Sequence, residues 1–232
     1  MFGHHRRLLT GPDYVVSGHL TSTAIYHLPP PTRVSSLHTK HPTPTHTMDN
    51  FTDKSSELIK ASFDKAEEQA NSQVHPLHLI SVLWDDPAPV GSSADPQPTL
   101  LRGAIERIGG NGTIFNRQLM SRLNKLPVVD PAPSPPIPLT QSYHAVLREA
   151  QKAQKEQNDQ FVAVDHLIIA LIKVDHSEMK DLLKAAGTDG KALEAELRRK
   201  RGGRKADSRS AEGQFEALNK CESMCNIMMG RR

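Results

Sequence analysis

Two histidines stand at matching places in the chain, each followed by a leucine and an apolar run. His78 lies in HPLHLISVLW (75–84) and His166 lies in AVDHLIIALI (163–172). An imidazole can bind a metal ion or act as a general base near neutral pH. A buried polar group without a partner costs about 1 to 3 kcal/mol, so a histidine in an apolar run needs a hydrogen bond. We therefore expect each ring to bond a nearby carbonyl and hold its helix in place.

The other potential metal ligands lack the spacing of a metal site. His75 and His78 are close in sequence, but Pro76 suits the first position of a helix, which leaves His75 outside it. Cys221 and Cys225 have no further Cys or His behind them, whereas a structural zinc site needs four ligands. The sequence predicts no metal ligands.

Carboxylates are present without the groups that would make them catalytic. Glu149, Asp159 and Asp165 could pair for acid–base chemistry, yet no nucleophile or phosphate-binding loop accompanies them. The nearest approach to such a loop, AAGTDGKAL, has Ala185 in place of the first glycine and Ala192 in place of the magnesium-binding hydroxyl. We expect no catalytic residue and no ATP hydrolysis in this chain.

The composition indicates one helical domain with appendages. The chain has 232 residues, of which 37% are hydrophobic and only 4% aromatic, so its core must be built from Leu, Ile, Val and Ala, residues common in helices. A net charge of +3 is too small to indicate nucleic-acid binding, and two cysteines give no disulfide framework. No apolar run approaches the roughly 18 to 20 residues of a membrane span.

Apolar spacing places four helices in each half of the structured region. In the first half, Thr52 can cap a long helix and Pro76 can begin a short buried one. Two more helices follow a proline-rich loop, and Asn111 can cap the second of them. In the second half, Thr140 opens the long helix, and the charge of Asp165 suits the start of the short one. These patterns predict an all-α fold.

The two halves align as a tandem repeat. Glycines, caps and core positions agree without a gap in the pairs Gly109 and Gly187, Asn111 and Asp189, Gly112 and Gly190, Phe115 and Leu193, and Leu119 and Leu197. Such agreement is typical of a repeated supersecondary unit. We predict repeat one over 51–126, a proline-rich linker over 127–138 and repeat two over 139–201, packed as one pseudo-symmetric domain over 48–205.

The ends of the sequence lack these patterns. Residues 1–47 hold 7 of the 12 histidines, 6 of the 17 prolines and a single acid, without a sustained helical or strand period. We expect a disordered or spuriously translated extension there. Mitochondrial targeting is the alternative, although three consecutive prolines at 29–31 would break the amphipathic helix it needs. Residues 206–232 have the character of a linker remnant and a divergent tail.

The order of these elements resembles a chaperone family. FTDKSSELIKASFDKAEEQANSQVHPLHLISVL, followed by a second repeat ending in VAVDHLIIALI, is similar to the N-terminal (Clp repeat) domain of ClpB-like Clp chaperone ATPases, fungal heat-shock disaggregases in particular. The resemblance covers about residues 49–200 and continues weakly through 207–220. After Lys220 the family would continue into two ATPase modules, whereas this chain reads CESMCNIMMGRR. We expect a truncated member, either a fragmentary gene product or a short isoform.

The resemblance implies a non-catalytic docking domain of a protein disaggregase, for substrates or adaptors. Residues that engage substrate in the family match Thr52, Asp159 and Asp165, although bacterial members carry Glu where this chain has Asp165. ATP and magnesium would belong to the ATPase modules of longer relatives, so no cofactor is expected in this chain. Apolar neighbours expected to line a groove between the repeats are Leu77, Leu139, Phe161 and Val162.

The implied partners are unfolded or aggregated polypeptide segments, with co-chaperones as further candidates. A groove of this kind buries well under the roughly 1,200 Å² of a stable interface, so binding should be micromolar or weaker. Without ATPase modules we expect a monomer. The expected location is the cytoplasm, with the nucleus as an alternative, and no membrane contact is expected.

The basic run RRKRGGRK (198–205) leaves a second function open. Such a run can bind nucleic acid or a partner protein, which would make the chain a helical adaptor with a basic tail. Positive side chains also stabilise the C-terminus of a helix, because they oppose its dipole. We favour this second interpretation, so nucleic-acid binding is the less expected function.

Overall fold

Eight α-helices make up most of the described chain. The computed structural model describes residues 49–85, 98–131 and 133–213, and in these residues the all-α prediction is confirmed, since they contain isolated β-bridges but no strand. None of the described helices is long and apolar enough to cross a membrane. The helices are α1 Asp53–Glu68, α2 Pro76–Asp85, α3 Leu100–Arg107, α4 Gly112–Leu123, α5 Gln141–Glu156, α6 Val164–Lys173, α7 Met179–Ala185 and α8 Gly190–Arg201.

Several predicted segments lie outside the described residues. They are the extension over 1–47, most of the proline-rich loop after α2, and the tail that contains Cys221 and Cys225. A short 3-10 turn, Asp175–Ser177, precedes α7.

Helix starts follow the predicted caps. The Thr52 hydroxyl accepts a hydrogen bond from the backbone N–H of Ser55 at 3.2 Å, and the Thr140 hydroxyl accepts one from Tyr143 at the same distance. Asn111 caps α4 and Asp189 caps α8 in the same manner. Each cap satisfies an N–H group that has no partner inside its own helix.

The two short apolar helices form the centre of the core. Nearly every side chain of α2 and α6 is buried, and the longer amphipathic helices α1 and α5 pack against them. Trp84 at the end of α2 stacks on Phe115 of α4, with ring centroids 4.7 Å apart. One continuous hydrophobic cluster joins both repeats, so the halves form one core.

The repeats exchange short backbone contacts across a pseudo-twofold axis. Phe51, before α1, forms a parallel bridge with Val162, before α6; Leu139, before α5, forms the matching bridge with Val74, before α2. The Thr52 N–H donates to the Val162 carbonyl, and the N–H at the equivalent Thr140 donates to the Val74 carbonyl, both at 3.1 Å. An offset of 88 residues relates every pair in this arrangement. The start of each long helix is therefore tied to the other repeat.

Candidate functional site

The N-termini of α1 and α6 lie side by side because the Phe51–Val162 bridge joins the segments that precede them. We call the surface formed there by Thr52, Gln160, Phe161 and Val164 the seam. Thr52, one of the predicted binding residues, caps α1 on this surface. The other two predicted polar residues, Asp159 and Asp165, lie beside it on either side of the short segment that leads into α6.

A buried arginine holds these two acids together. The Arg201 guanidinium, at the end of α8, forms ion pairs with Asp159 and, at 2.8 Å, with Asp165. The Asp159 side chain is only 1% exposed and that of Arg201 is 8% exposed. Charges removed from water this completely are stable only when they are paired and hydrogen-bonded. Asp159 is therefore a member of a closed charge cluster in this conformation.

His166 completes the cluster as a neutral ring. Its Nδ1 atom accepts a hydrogen bond from the backbone N–H of Ala163 at 2.9 Å. The proton consequently resides on Nε2, which lies 3.0 Å from Asp159 Oδ2 and donates to it. Burial lowers the pKa of His166, and the nearby Asp165 opposes this shift. The ring thus caps the start of α6, where the residue at the cap position has no side-chain acceptor.

Residues 204–213, here called the covering segment, pack on top of the seam. The Ala206 carbonyl accepts hydrogen bonds from the backbone N–H groups of Gln160 (3.2 Å) and Phe161 (3.0 Å), and the Ala206 N–H donates to Asp159 Oδ1 at 3.0 Å. Ala206 and Ala211 pack against Ala163 in a small apolar cluster. The seam therefore binds the covering segment mainly through the main chain of its residues.

Glu212 fixes the far end of the covering segment between two helix N-termini. Its Oε1 atom accepts a hydrogen bond from the Thr52 hydroxyl at 2.6 Å and another from the Val164 N–H at 3.2 Å. The first N–H of α1, on Asp53, donates to the Arg209 carbonyl at 2.8 Å. Burial raises the pKa of Glu212, while the Thr52 and Val164 hydrogen bonds oppose the shift. The carboxylate is placed where helix dipoles favour negative charge.

Comparison with known proteins assigns the fold to a family. The model of the Clp repeat (R) N-terminal domain matches residues 50–186, more than half of the chain. This chain belongs to the Clp repeat N-terminal domain family. Among its relatives is chaperone protein ClpB of Rhodopseudomonas palustris, 30% identical over 173 residues, a match that covers 75% of this chain and 18% of that protein.

Two fungal heat shock proteins are similar to this chain over most of its length. It is 36% identical over 170 residues to heat shock protein 104 of Schizosaccharomyces pombe and 36% identical over 178 residues to heat shock protein hsp98 of Neurospora crassa. The matches cover 73% of this chain but only 18% and 19% of those proteins. The chain therefore spans less than a fifth of the length of these relatives.

A solved structure agrees with the fold. The Hsp104 N-terminal domain from Candida albicans superposes with a TM-score of 0.61 at 28% sequence identity, and the match covers 70% of this chain and 99% of that one. The described residues therefore share the fold of that N-terminal domain.

The predicted apolar residues do not line an open groove in this conformation. Leu77, on the buried helix α2, and Val162, which forms the bridge with Phe51, lie in the core and are 1% and 0% exposed. Leu139 and Phe161 are half-buried. Phe161 belongs to the seam, and Leu139 is the pseudo-symmetric counterpart of Phe51. A role for these four residues in binding remains a prediction.

Two residues of the site were not predicted as such. Arg201 stood in the basic run that we interpreted as a helix terminus, and Glu212 stood in the segment that we interpreted as a linker. A signal for Arg201 was present in the repeat, since the alignment places it on Leu123, which is buried. Glu212 had no such signal, because the same alignment places it on Ser134 in the proline-rich linker.

Much of the basic run is neutralised within the Clp repeat domain. Arg198 pairs with Glu194 at 2.7 Å, Arg199 pairs with Glu196 at 2.8 Å, and Arg201 is buried against Asp159 and Asp165. These pairs favour the helix-terminus interpretation over an exposed basic tail. No observation in the described residues favours nucleic-acid binding.

Proposed function

We propose that this chain is a non-catalytic docking domain that binds unfolded or aggregated polypeptide segments at the seam. The observation that carries the proposal is that the seam already holds a stretch of polypeptide, the covering segment, through hydrogen bonds to its main chain. An unfolded chain presents the same main-chain groups and small side chains. The names of the fungal relatives, both heat shock proteins, support a chaperone context.

The contacts at the seam suit a ligand of variable sequence. Three backbone N–H groups, on Gln160, Phe161 and Asp53, donate to carbonyls of the covering segment. Every residue of an unfolded protein offers such a carbonyl. Apolar contact is limited to alanines around Ala163, so the seam excludes large side chains from the position next to Ala163 and places few other demands on sequence.

The position that the Glu212 carboxylate occupies gives the seam a preference for clients with an acidic group. The Thr52 hydroxyl and the Val164 N–H both point at Glu212, so a client that carries an acidic side chain or a C-terminal carboxylate can replace it. A client must first displace the covering segment, which is attached in the same chain and so is present at a high effective concentration. We therefore expect weak binding to the intact chain, micromolar at best.

Amide NMR on the full chain tests the proposal. Uniformly ¹⁵N-labelled protein is titrated with reduced, carboxymethylated α-lactalbumin, which is permanently unfolded. We expect saturable shift changes at the amides of Gln160, Phe161 and Val164, and none at Thr113 on the exposed surface of α4. Shift changes scattered over the whole surface, or none at millimolar ligand, would contradict the proposal.

A further inference from the structure

The covering segment meets the seam as a compact turn. Ala206 and Ala211 are 0% and 1% exposed, and both pack against Ala163. Between them the chain turns through residues 207–210, where the Ala211 N–H donates to the Ser208 carbonyl at 3.3 Å. The turn therefore brings two small residues, five positions apart in sequence, to one place on the domain.

The first of these alanines, Ala206, is bound through both polar groups of its main chain. Its carbonyl accepts from the N–H groups of Gln160 and Phe161, and its N–H donates to Asp159 Oδ1 at 3.0 Å. The other oxygen of that carboxylate, Oδ2, is already bonded within the buried charge cluster. The Asp159 side chain is only 1% exposed, so a ligand residue without an N–H at this place would leave Oδ1 buried without that donor.

The place of Ala206 consequently selects by two physical criteria. Proline is the residue that has no main-chain N–H, and a buried charged acceptor that loses its donor discriminates strongly against the ligand that lacks it. A side chain much larger than a methyl group would overpack the alanine cluster. Small residues other than proline meet both criteria.

The turn also fixes where an acidic side chain must lie. Its middle is held by the Arg209 carbonyl, which accepts from the first N–H of α1, on Asp53, at 2.8 Å. Glu212 then lies six residues after Ala206 and reaches the two donors that hold its carboxylate. An inserted residue would disturb this register, because the turn is closed by its own hydrogen bond and is pinned at its middle.

We propose that the seam selects client segments by the spacing of three residues: a small residue other than proline, a second small residue five positions later, and an acidic residue directly after it. Ala206, Ala211 and Glu212 hold these places in the chain's own segment. Three of the four residues between the alanines are exposed, so the seam makes little demand on their side chains. The inference rests on the proposed function, because it names the class of segment that binds at that same site.

A peptide titration onto an opened seam tests this pattern. The host is the full chain with Ala206→Pro and Glu212→Ala, which removes two attachments of the chain's own segment. The probe is a peptide with the sequence of residues 204–213 and both ends blocked, and the amide shifts of the ¹⁵N-labelled host report its binding. We expect saturable changes at Phe161 and Val164, with a Kd of roughly 0.1 to 1 mM for so small a contact.

Altered peptides separate the parts of the pattern. The Ala206→Pro peptide lacks the N–H, the Ala206→Leu peptide overfills the alanine cluster, and the Glu212→Gln peptide lacks the charge. A fourth peptide carries one extra glycine after Ser208 and so shifts the register. Each should bind at least about fivefold more weakly than the unchanged peptide. The Ser210→Asn peptide, changed at an exposed position of the turn, is the matched control and should bind equally well.

Equal affinity of the unchanged and altered peptides would overturn the proposal. Shift changes centred away from Phe161 and Val164, or no saturable change at millimolar unchanged peptide, would overturn it as well. If the double variant fails to fold, Glu212→Ala alone is the host, since it still removes the anchor of the chain's own carboxylate.

Titration of the same host with carboxymethylated α-lactalbumin separates this inference from the proposed function. Binding of α-lactalbumin at the seam together with equal peptide affinities would defeat the spacing pattern alone. Selective peptide binding without α-lactalbumin binding would support the pattern and defeat the proposed function.

Discussion

The two repeats share a backbone arrangement but differ in one buried cluster. In repeat one, His78 donates through Nε2 to the Asn71 side chain at 2.9 Å, and Leu123 fills the adjacent core. In repeat two, Asp159 and Arg201 stand at the positions of Asn71 and Leu123. Both histidines accept a backbone N–H through Nδ1 at 2.9 Å, from His75 in one repeat and from Ala163 in the other.

This difference shows which buried groups the helical repeat needs in order to fold and which ones serve to hold the covering segment on the seam. Repeat one holds its short helix with neutral groups, so buried charges are not needed to build the unit. In repeat two the same charges contact the covering segment: Asp159 accepts from the Ala206 N–H, and the Arg201 Nε donates to the Arg204 carbonyl at 2.7 Å. The charged cluster of repeat two therefore attaches residues 204–213 to the domain.

Removing the arginine should give the largest loss of stability. Arg201→Leu leaves Asp159 buried without its charge partner, and such unpaired charges cost about 3 to 5 kcal/mol. Urea denaturation followed by circular dichroism measures the loss. The equivalent position in repeat one already holds Leu123, so the size of the leucine is compatible with the scaffold.

The double variant Asp159→Asn with Arg201→Leu is the control for that loss. It gives these two positions the residues of repeat one and should recover most of the stability that Arg201→Leu alone removes. Equal instability of the single and double variants would show that the charge cluster is not what distinguishes the repeats.

A pH titration compares the two histidines. Burial, with the neighbouring His75, lowers the pKa of His78 to about 4, against about 6.5 in the unfolded chain. Between these values the unfolded state binds more protons than the folded state, so stability is full above pH 6.5 and falls as the pH drops toward 4. The expected loss attributable to His78 is about 2 to 3 kcal/mol, obtained by subtracting the pH profile of His78→Gln from that of the wild type.

His166 should contribute less to this pH dependence. The carboxylates of Asp165 and Asp159 favour its protonated form and so oppose the effect of burial, whereas no acid does so at His78. His166→Gln should therefore flatten the stability profile between pH 4 and 6.5 less than His78→Gln does. A larger flattening by His166→Gln than by His78→Gln would contradict the opposing effect of Asp165 and Asp159 at His166.

The paired threonine caps give a smaller effect. Thr52→Ala and Thr140→Ala each remove a helix cap and should cost about 1 kcal/mol in urea denaturation. Only Thr52 also bonds Glu212, so Thr52→Ala alone should speed hydrogen exchange at the amides of residues 206–212. Faster exchange there in Thr140→Ala would show that the segment is not anchored through Thr52.

The smallest expected effect concerns client affinity. Glu212→Ala removes the acceptor for Thr52 and Val164 and loosens the covering segment, so it should tighten binding of unfolded α-lactalbumin about two- to fivefold, less than 1 kcal/mol. Glu68→Ala, at the exposed end of α1, is the matched control and should leave the affinity unchanged. Fluorescence anisotropy of labelled α-lactalbumin measures both, and an unchanged or weaker affinity for Glu212→Ala would argue against competition by the segment.

The local features of this domain could be predicted from its sequence, and the long-range ones could not. Helix caps such as Thr52 and Thr140 act within three residues, and the repeat pattern fixes the glycine turns at Gly109 and Gly187, which have φ angles of 84° and 81°. The contact of Arg201 with Asp159 joins residues far apart in sequence, and a cation next to a helix end gives no indication that it is buried.

The predicted apolar groove illustrates a second limit. Leu77 and Val162 were expected to line a groove, but the sequence alone could not show that the packing of α2 and the Phe51–Val162 bridge place them in the core. Conversely, the polar sequence of residues 204–213 indicated a linker, although main-chain hydrogen bonds hold it on the seam. Main-chain recognition leaves little trace in side-chain patterns.

Site-specific photo-crosslinking is the most direct test of the seam as a polypeptide-binding surface. A photoreactive amino acid is placed at exposed Gln160 on the seam or, as the control, at exposed Thr113 on α4, and each protein is irradiated with unfolded α-lactalbumin. We predict crosslinks from position 160 that increase when Glu212 is also changed to Ala, and only background from position 113. Equal crosslinking from both positions, or none from position 160 in either background, would contradict the account.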